Sequence, residues 1–195
     1  MLKKISNDDW QFVAPSLICT ICFVLTDFLG IIEKTSIAYW SGLILFEPYR
    51  VVTFHFFHGD FNHLLANISG ILIARYFLKS LGLKNNSFFI VFICFVIPLQ
   101  SLILWSVDIF VYRNLISRAI GFSGVLLGID AFILLTTIYG KKRFFLIECD
   151  LKRSYQFFKS MALLTGFFLL WSFLPGVSLL GHLSGFVAGA LLFLL

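Results

Sequence analysis

Charged residues are scarce in this chain. Only 13% of its 195 residues are Asp, Glu, Lys or Arg, whereas 59% are apolar. A soluble domain of this length could not bury so much apolar surface, so the composition excludes a water-soluble globular protein and indicates a polytopic membrane protein. No polar stretch is long enough to form a separate soluble domain. We therefore expect a single membrane domain over residues 1–195.

The chain also lacks the motifs of metal and redox chemistry. Its one C-x-x-C pair, Cys19 and Cys22, lies inside an apolar run without a second pair. His55, His58 and His63 are irregularly spaced, and no H-E-x-x-H motif is present. We expect neither a metal ion nor a cofactor. The net charge of +5 comes from basic residues scattered over loops, which indicates membrane orientation and no nucleic-acid partner.

Six apolar segments are long enough to cross a lipid bilayer, and each must be helical because lipid cannot satisfy exposed backbone groups. The predicted spans are residues 12–32, 62–81, 87–111, 121–139, 160–174 and 177–195. The expected fold class is therefore an all-α, six-transmembrane-helix bundle. The aromatic segment 33–61 is too interrupted by charge to span, and we expect it to lie in the membrane interface.

The distribution of basic residues predicts the orientation. If the N-terminus is cytosolic, 11 of the 15 Lys and Arg residues lie inside and 4 outside, so the positive-inside rule places both termini in the cytosol. The short loops suggest a bacterial inner membrane. In this topology four polar residues fall in the first turns of helices that all descend from the outer face: His63, Asn67, Ser123 and His182.

Ser123 and His182 are the smallest set of side chains that can carry out acyl transfer. Glycines lie near both residues in the sequence, and those near the serine are Gly121 and Gly124. Small residues of this kind let two helices approach closely. A serine hydroxyl is a poor nucleophile until a base takes its proton, and histidine suits that work near neutral pH. Asp130 lies two turns further along the helix of Ser123, so no third carboxylate is evident and we predict a dyad.

His63 and Asn67 are four residues apart and therefore share one face of a helix. Together with the backbone N–H of Ser123, both can donate hydrogen bonds to the oxyanion of a tetrahedral intermediate. Ser123, His182, His63 and Asn67 together predict an intramembrane serine protease. Taken singly, each has a commoner explanation in helix packing, but one catalytic explanation covers all four.

In order, spacing and depth these motifs resemble the rhomboid intramembrane serine proteases over nearly the whole chain. The resemblance implies that Ser123 is the nucleophile and His182 the base. It also implies that His63 and Asn67 line the oxyanion site and that Arg50 stabilises the first loop. The matching motifs are Tyr49-Arg50, the series His58, His63 and Asn67, Gly121-Phe122-Ser123-Gly124, and Gly181-His182-Leu183-Ser184-Gly185-Phe186-Val187-Ala188-Gly189.

Other expectations also rest on this resemblance. Residues 175–180 would cap the site, and substrate would enter between the second and fifth spans. The chain departs from the family at Tyr49, where a tryptophan is usual, and at Leu127, where many members have an aromatic residue that can stack on the histidine. The lack of an appended soluble domain also resembles the rhombosortase branch, which processes C-terminal sorting tails.

The function expected from these residues is cleavage of single-span membrane proteins near the outer face of the bilayer. The alternative is a catalytically silent rhomboid-like protein that binds membrane client helices. A small transporter ranks last, because such proteins show paired charges or internal repeats at mid-membrane, and here only Asp27 and Asp130 lie deep in spans.

Overall fold

Helices dominate residues 9–195, the part of the chain that the computed structural model describes. Lys3 and Lys4, which enter the orientation count, lie outside this part. The helices Trp10–Phe23 and Phe88–Ser106 each continue into one π-helical turn, over Val24–Phe28 and Val107–Val111 respectively. The helices are α1 (Trp10–Phe23), α2 (Lys34–Ile37), α3 (Arg50–Thr53), α4 (Phe61–Ser80), α5 (Phe88–Ser106), α6 (Ser123–Tyr139), α7 (Tyr155–Trp171) and α8 (Leu179–Leu194).

The six long helices correspond to the six predicted spans, so the all-α bundle is confirmed. Two helical stretches, Trp10–Phe28 and Phe88–Val111, are by length and composition able to cross a membrane, and α6 and α8 are shorter apolar helices. The first span ends earlier than predicted because Gly30 adopts a left-handed backbone (φ +60°) that terminates the helix. The helix of the fifth span begins earlier, at Tyr155, because the Lys159 side chain is exposed and does not interrupt it.

Within residues 9–195 the structure also contains four short strands that were not predicted. Strand β1 (Tyr39–Trp40) in the first loop pairs antiparallel with β2 (Arg118–Ala119), just before α6. Strands β3 (Lys141–Phe144) and β4 (Ile147–Leu151) form a hairpin between α6 and α7. The first pair ties the long loop to the segment that leads into Ser123. The second gives the charged loop between α6 and α7 an ordered structure.

A cluster of buried aromatic rings joins α5, α6 and the β3–β4 hairpin. The ring centroids of Phe92 and Phe132 lie 5.3 Å apart, and those of Phe132 and Phe144 lie 5.7 Å apart, both edge to face. Aromatic pairs of this geometry contribute about 0.5–1.5 kcal/mol each beyond the area that they bury. Phe132 lies midway along α6, and Phe144 lies on β3 beyond the end of α6 remote from Ser123, so this cluster packs the part of the bundle away from the candidate site.

Glycines set the distance between α6 and α8, the two long helices in most extensive contact. A Cβ atom on Gly185 would overlap the backbone of Gly124, and one on Gly189 would overlap the backbone of Gly128. The two backbones therefore touch directly, as in small-residue contacts between membrane helices. This contact brings the first turns of α6 and α8, and thus Ser123 and His182, side by side.

Candidate active site

Ser123 is the first residue of α6, and the turn before it has an unusual backbone. Gly121 has a φ of +121°, and its N–H donates to the Phe54 carbonyl at 2.8 Å. A Cβ atom at Gly121 would lie 2.5 Å from Cε1 of His63. Glycine is therefore required here both for its backbone conformation and for the approach of the His63 ring.

His182 lies in the first turn of α8 and points its ring at Ser123. Ser178 starts this helix: its Oγ accepts from the Gly181 N–H at 3.2 Å, and its carbonyl accepts from the His182 N–H at 3.0 Å. The His182 Nε2 atom lies 2.7 Å from the Ser123 Oγ atom. This is the geometry in which an imidazole can remove a hydroxyl proton.

Ser172 is a third polar residue of the site, and the sequence analysis missed it. It follows the end of α7 and is only 1% exposed. Its Oγ atom lies 2.5 Å from His182 Nδ1 and donates a hydrogen bond to the Phe168 carbonyl at 2.7 Å. The available signal was a serine near the C-terminal end of the fifth predicted span, which the predicted topology places at a depth similar to that of Ser123.

His63 and Asn67 lie in the first two turns of α4, and the His63 ring approaches Gly121, two residues before Ser123. Asp60 caps this helix by accepting from the His63 N–H at 2.9 Å. Asn67 is 2% exposed, and its Nδ2 atom donates to the His63 carbonyl at 2.9 Å. One N–H of the Asn67 amide therefore stays bound within the helix, while the other N–H is available to a ligand.

His58 lies in the loop before α4 and packs against His63, with ring centroids 5.1 Å apart. Burial lowers the pKa of His58 to about 4, so its ring is neutral near pH 7. Although several histidines occur in this region, no group of three potential ligands within residues 9–195 could hold a metal ion.

A cavity of about 1040 Å³ opens beside Ser123 and separates part of α4 from part of α7. Asp130 lines it two turns beyond Ser123; this residue is 5% exposed and has no hydrogen-bond partner among the described residues. The cavity wall combines the candidate site, two helices and the segment after α7: Ser123, His182, His63 and Asn67; Gly70 and Ile73 of α4; Leu164, Phe168 and Trp171 of α7; and Pro175, Gly176, Val177 and Ser178.

Residues 45–195 match the family model of the Rhomboid domain. The chain belongs to the rhomboid family. It is therefore an integral, polytopic membrane protein, and its six long helices form a rhomboid-like bundle. The match does not distinguish the rhombosortase branch from other rhomboids. No curated protein matches the chain.

In this rhomboid Arg50 joins three parts of the first loop. The side chain is 4% exposed. Its Nη1 atom donates to the carbonyls of Ala38 at 2.6 Å and Thr35 at 2.9 Å, and its Nε atom donates to Glu47 Oε2 at 2.6 Å. Hydrogen bonds from Tyr49 and Arg50 lower the pKa of Glu47. The loop is thus held by a buried cation that donates to a carbonyl within α2, to the carbonyl just after α2 and to the Glu47 carboxylate.

Proposed function

We propose that this rhomboid is a serine endopeptidase that cleaves transmembrane segments near the outer membrane face, with Ser123 as nucleophile and His182 as base. The observation that carries this proposal is the 2.7 Å distance between Ser123 Oγ and His182 Nε2 inside a cavity in the bundle. Two helices packed backbone to backbone keep these atoms together, so the pair is preorganised for reaction.

The proposed reaction proceeds through an acyl-enzyme. His182 Nε2 accepts the Ser123 proton while Oγ bonds to the scissile carbonyl carbon, which gives a tetrahedral oxyanion. The C–N bond then breaks as His182 returns the proton to the leaving amine. A water molecule, deprotonated by the same nitrogen, cleaves the ester and regenerates the serine.

The oxyanion needs preorganised donors in a site of low dielectric. We assign this role to the backbone N–H of Ser123, the free amide N–H of Asn67 and the ring of His63. Two facts support the assignment: Ser123, Asn67 and His63 line one cavity, and the first intrahelical turn of α6 leaves the Ser123 N–H without a helical acceptor.

We infer that a single-span substrate enters sideways, between α4 and α7. Of the described residues of α7, only Met161 and Thr165 are buried, so this helix is held less firmly than its neighbours. At one end Phe157 of α7 packs on Phe77 of α4, with ring centroids 5.7 Å apart, whereas the cavity separates the helices towards Ser123. A substrate helix must unwind locally before its carbonyl reaches Ser123, which favours small or helix-breaking residues near the cut.

The decisive experiment compares four purified proteins in detergent or reconstituted membranes: wild type, Ser123→Ala, His182→Ala and Ser160→Ala. Ser160 lies exposed on α7, so its variant is the matched serine control. Each protein is tested with a fluorophosphonate probe and with tagged single-span substrates, one of which carries a GlyGly-type C-terminal tail. Wild type and Ser160→Ala should label and cleave, and the other two should do neither.

Cleavage by Ser123→Ala at the wild-type rate would show that another enzyme is responsible. If wild type binds client helices but neither labels nor cleaves, the chain acts as a binding protein for membrane helices. Preferential cleavage of the GlyGly-type tail would assign it to the rhombosortase branch. Mapping the new terminus gives the membrane depth of the cut and tests the outer-face location. Protease accessibility of tags at either end tests the cytosolic termini.

A further inference from the structure

We propose that Ser172 is a positioning residue that holds the imidazole of His182 in the tautomer that catalysis needs. The inference rests on the proposed function and deepens it, because it concerns the same site. The Ser172 side chain bonds to His182 and Phe168, and Ser172 does not line the cavity beside Ser123. It acts through His182, by selecting the ring nitrogen that carries the proton.

The direction of each hydrogen bond follows from the partners present. A serine hydroxyl has one proton to donate and two lone pairs that can accept. The Phe168 carbonyl can only accept, and it lies 2.7 Å from Ser172 Oγ, so the hydroxyl proton points there. Toward His182 Nδ1, 2.5 Å away, Ser172 Oγ must therefore be the acceptor.

A neutral imidazole carries one proton, which this bond places on Nδ1. The Nε2 atom is then unprotonated, and its lone pair faces Ser123 Oγ at 2.7 Å. With the proton on the other nitrogen, Nδ1 and Phe168 would compete for the single Ser172 proton, and Nε2 could not act as a base. Only with the proton on Nδ1 do all three bonds, from Ser123 through His182 and Ser172 to Phe168, form at once.

No other described group can do this work. Within residues 9–195, His182 Nδ1 forms a hydrogen bond only with Ser172, whose side chain is almost wholly buried. Leu127, which lines the same cavity, has no polar side-chain atom. Ser172 is anchored where α7 ends, since its N–H donates to the carbonyls of Phe168 and Leu169 at 3.1 and 3.2 Å. The tautomer therefore depends on α7 being in place beside α8.

The test reads the tautomer directly. Proteins with ¹⁵N-labelled histidine are compared by NMR at a pH at which the His182 ring is neutral, for wild type, Ser172→Ala, Ser172→Thr and Ser172→Cys. A His182→Gln spectrum assigns the signal. In wild type and Ser172→Thr we expect a protonated Nδ1 and a pyridine-type Nε2. In Ser172→Ala we expect a mixture of both tautomers, because nothing then accepts from Nδ1.

The second test measures kcat and KM with a substrate that the wild type cleaves. Ser172→Ala should lower kcat about 10- to 100-fold with KM changed less than about twofold, as expected for the loss of an orienting partner. Ser172→Thr should recover most of the rate. A purely structural role for Ser172 would change stability without mixing the tautomers.

A single Nδ1–H tautomer in Ser172→Ala would overturn the proposal, as would a rate equal to wild type. If Ser172→Ala does not fold, Ser172→Cys decides, because a thiol keeps the size of the side chain and accepts hydrogen bonds only weakly. The NMR reading needs no substrate. A protein that keeps the predicted tautomer but never labels at Ser123 would therefore contradict the protease function and leave the role of Ser172 standing.

Discussion

Replacing Gly189 by alanine should separate α6 from α8 and disable the site without touching any polar residue. The added Cβ would overlap the backbone of Gly128, and backbone atoms, unlike the end of a flexible side chain, cannot move aside. Two other glycines give a graded series. At Gly128 a Cβ would lie 2.8 Å from Val96 Cγ2 and 3.0 Å from the Gly185 carbonyl oxygen, whereas at Gly166 of α7 nothing lies within 4 Å.

The magnitudes follow from two opposing effects. Alanine stabilises a helix interior by about 1 kcal/mol relative to glycine. Overpacking a tight contact costs about 1–3 kcal/mol, and a backbone contact falls at the upper end of that range. We expect Gly166→Ala to raise the free energy of unfolding by up to about 1 kcal/mol, Gly128→Ala to change it little, and Gly189→Ala to lower it by about 1–2 kcal/mol.

The effect on the site should exceed the effect on stability. Restoring an ordinary contact of about 3.5 Å at Gly189 requires the two backbones to move apart by about 1 Å or more. The bond between Ser123 Oγ and His182 Nε2 spans the same two helices and is 2.7 Å long, so this movement would break it.

The assay combines thermal unfolding in detergent with the rate of fluorophosphonate labelling at Ser123. Labelling should fall at least tenfold in Gly189→Ala and stay at the wild-type rate in Gly166→Ala. If Gly189→Ala unfolds and labels as wild type does, the glycine contact does not set the geometry of the site, and the reasoning is wrong.

Two further predictions concern buried ionisable groups, both measured by unfolding in detergent. Arg50→Ala removes the buried donor to the Thr35 and Ala38 carbonyls and should lower the free energy of unfolding by about 1–3 kcal/mol. Arg143→Ala, which removes an exposed ion pair, should change it by less than about 0.5 kcal/mol. Equal effects would show that the first loop does not depend on Arg50. Asp130→Ala removes a buried carboxyl that has no hydrogen-bond partner among the described residues, so it should raise the free energy of unfolding by about 1 kcal/mol. Asp108→Ala breaks the 2.8 Å hydrogen bond from the Tyr39 hydroxyl, so it should lower the free energy of unfolding by about 1–3 kcal/mol. A loss of stability at Asp130 as large as that at Asp108 would contradict this account.

The helices could be predicted because lipid restricts the backbone to one local solution, so the length and hydropathy of each segment suffice. The pairing of Tyr39 with Ala119 could not be predicted, because it joins two dipeptides from distant loops and neither dipeptide is long enough to show an alternating pattern. Ser172 was missed for a related reason. A lone serine carries no motif, and its role exists only once the end of α7 lies against His182.

The series of hydrogen bonds from Ser123 through His182 and Ser172 to the Phe168 carbonyl shows how a histidine can be oriented as a base inside a membrane. A carboxylate beside His182 would orient the ring as Ser172 does, but an ionised group at this depth costs several kcal/mol unless it is fully paired. A hydroxyl that accepts from Nδ1 and donates to the Phe168 carbonyl selects the same tautomer without adding a charge. In exchange the site gives up the stabilisation of the imidazolium that a carboxylate supplies. In the proposed mechanism, catalysis would then depend more on the close contact between α6 and α8 and on the oxyanion donors assigned to α4. The glycine series tests the first of these dependences, and the Ser172 variants test the orientation of the histidine.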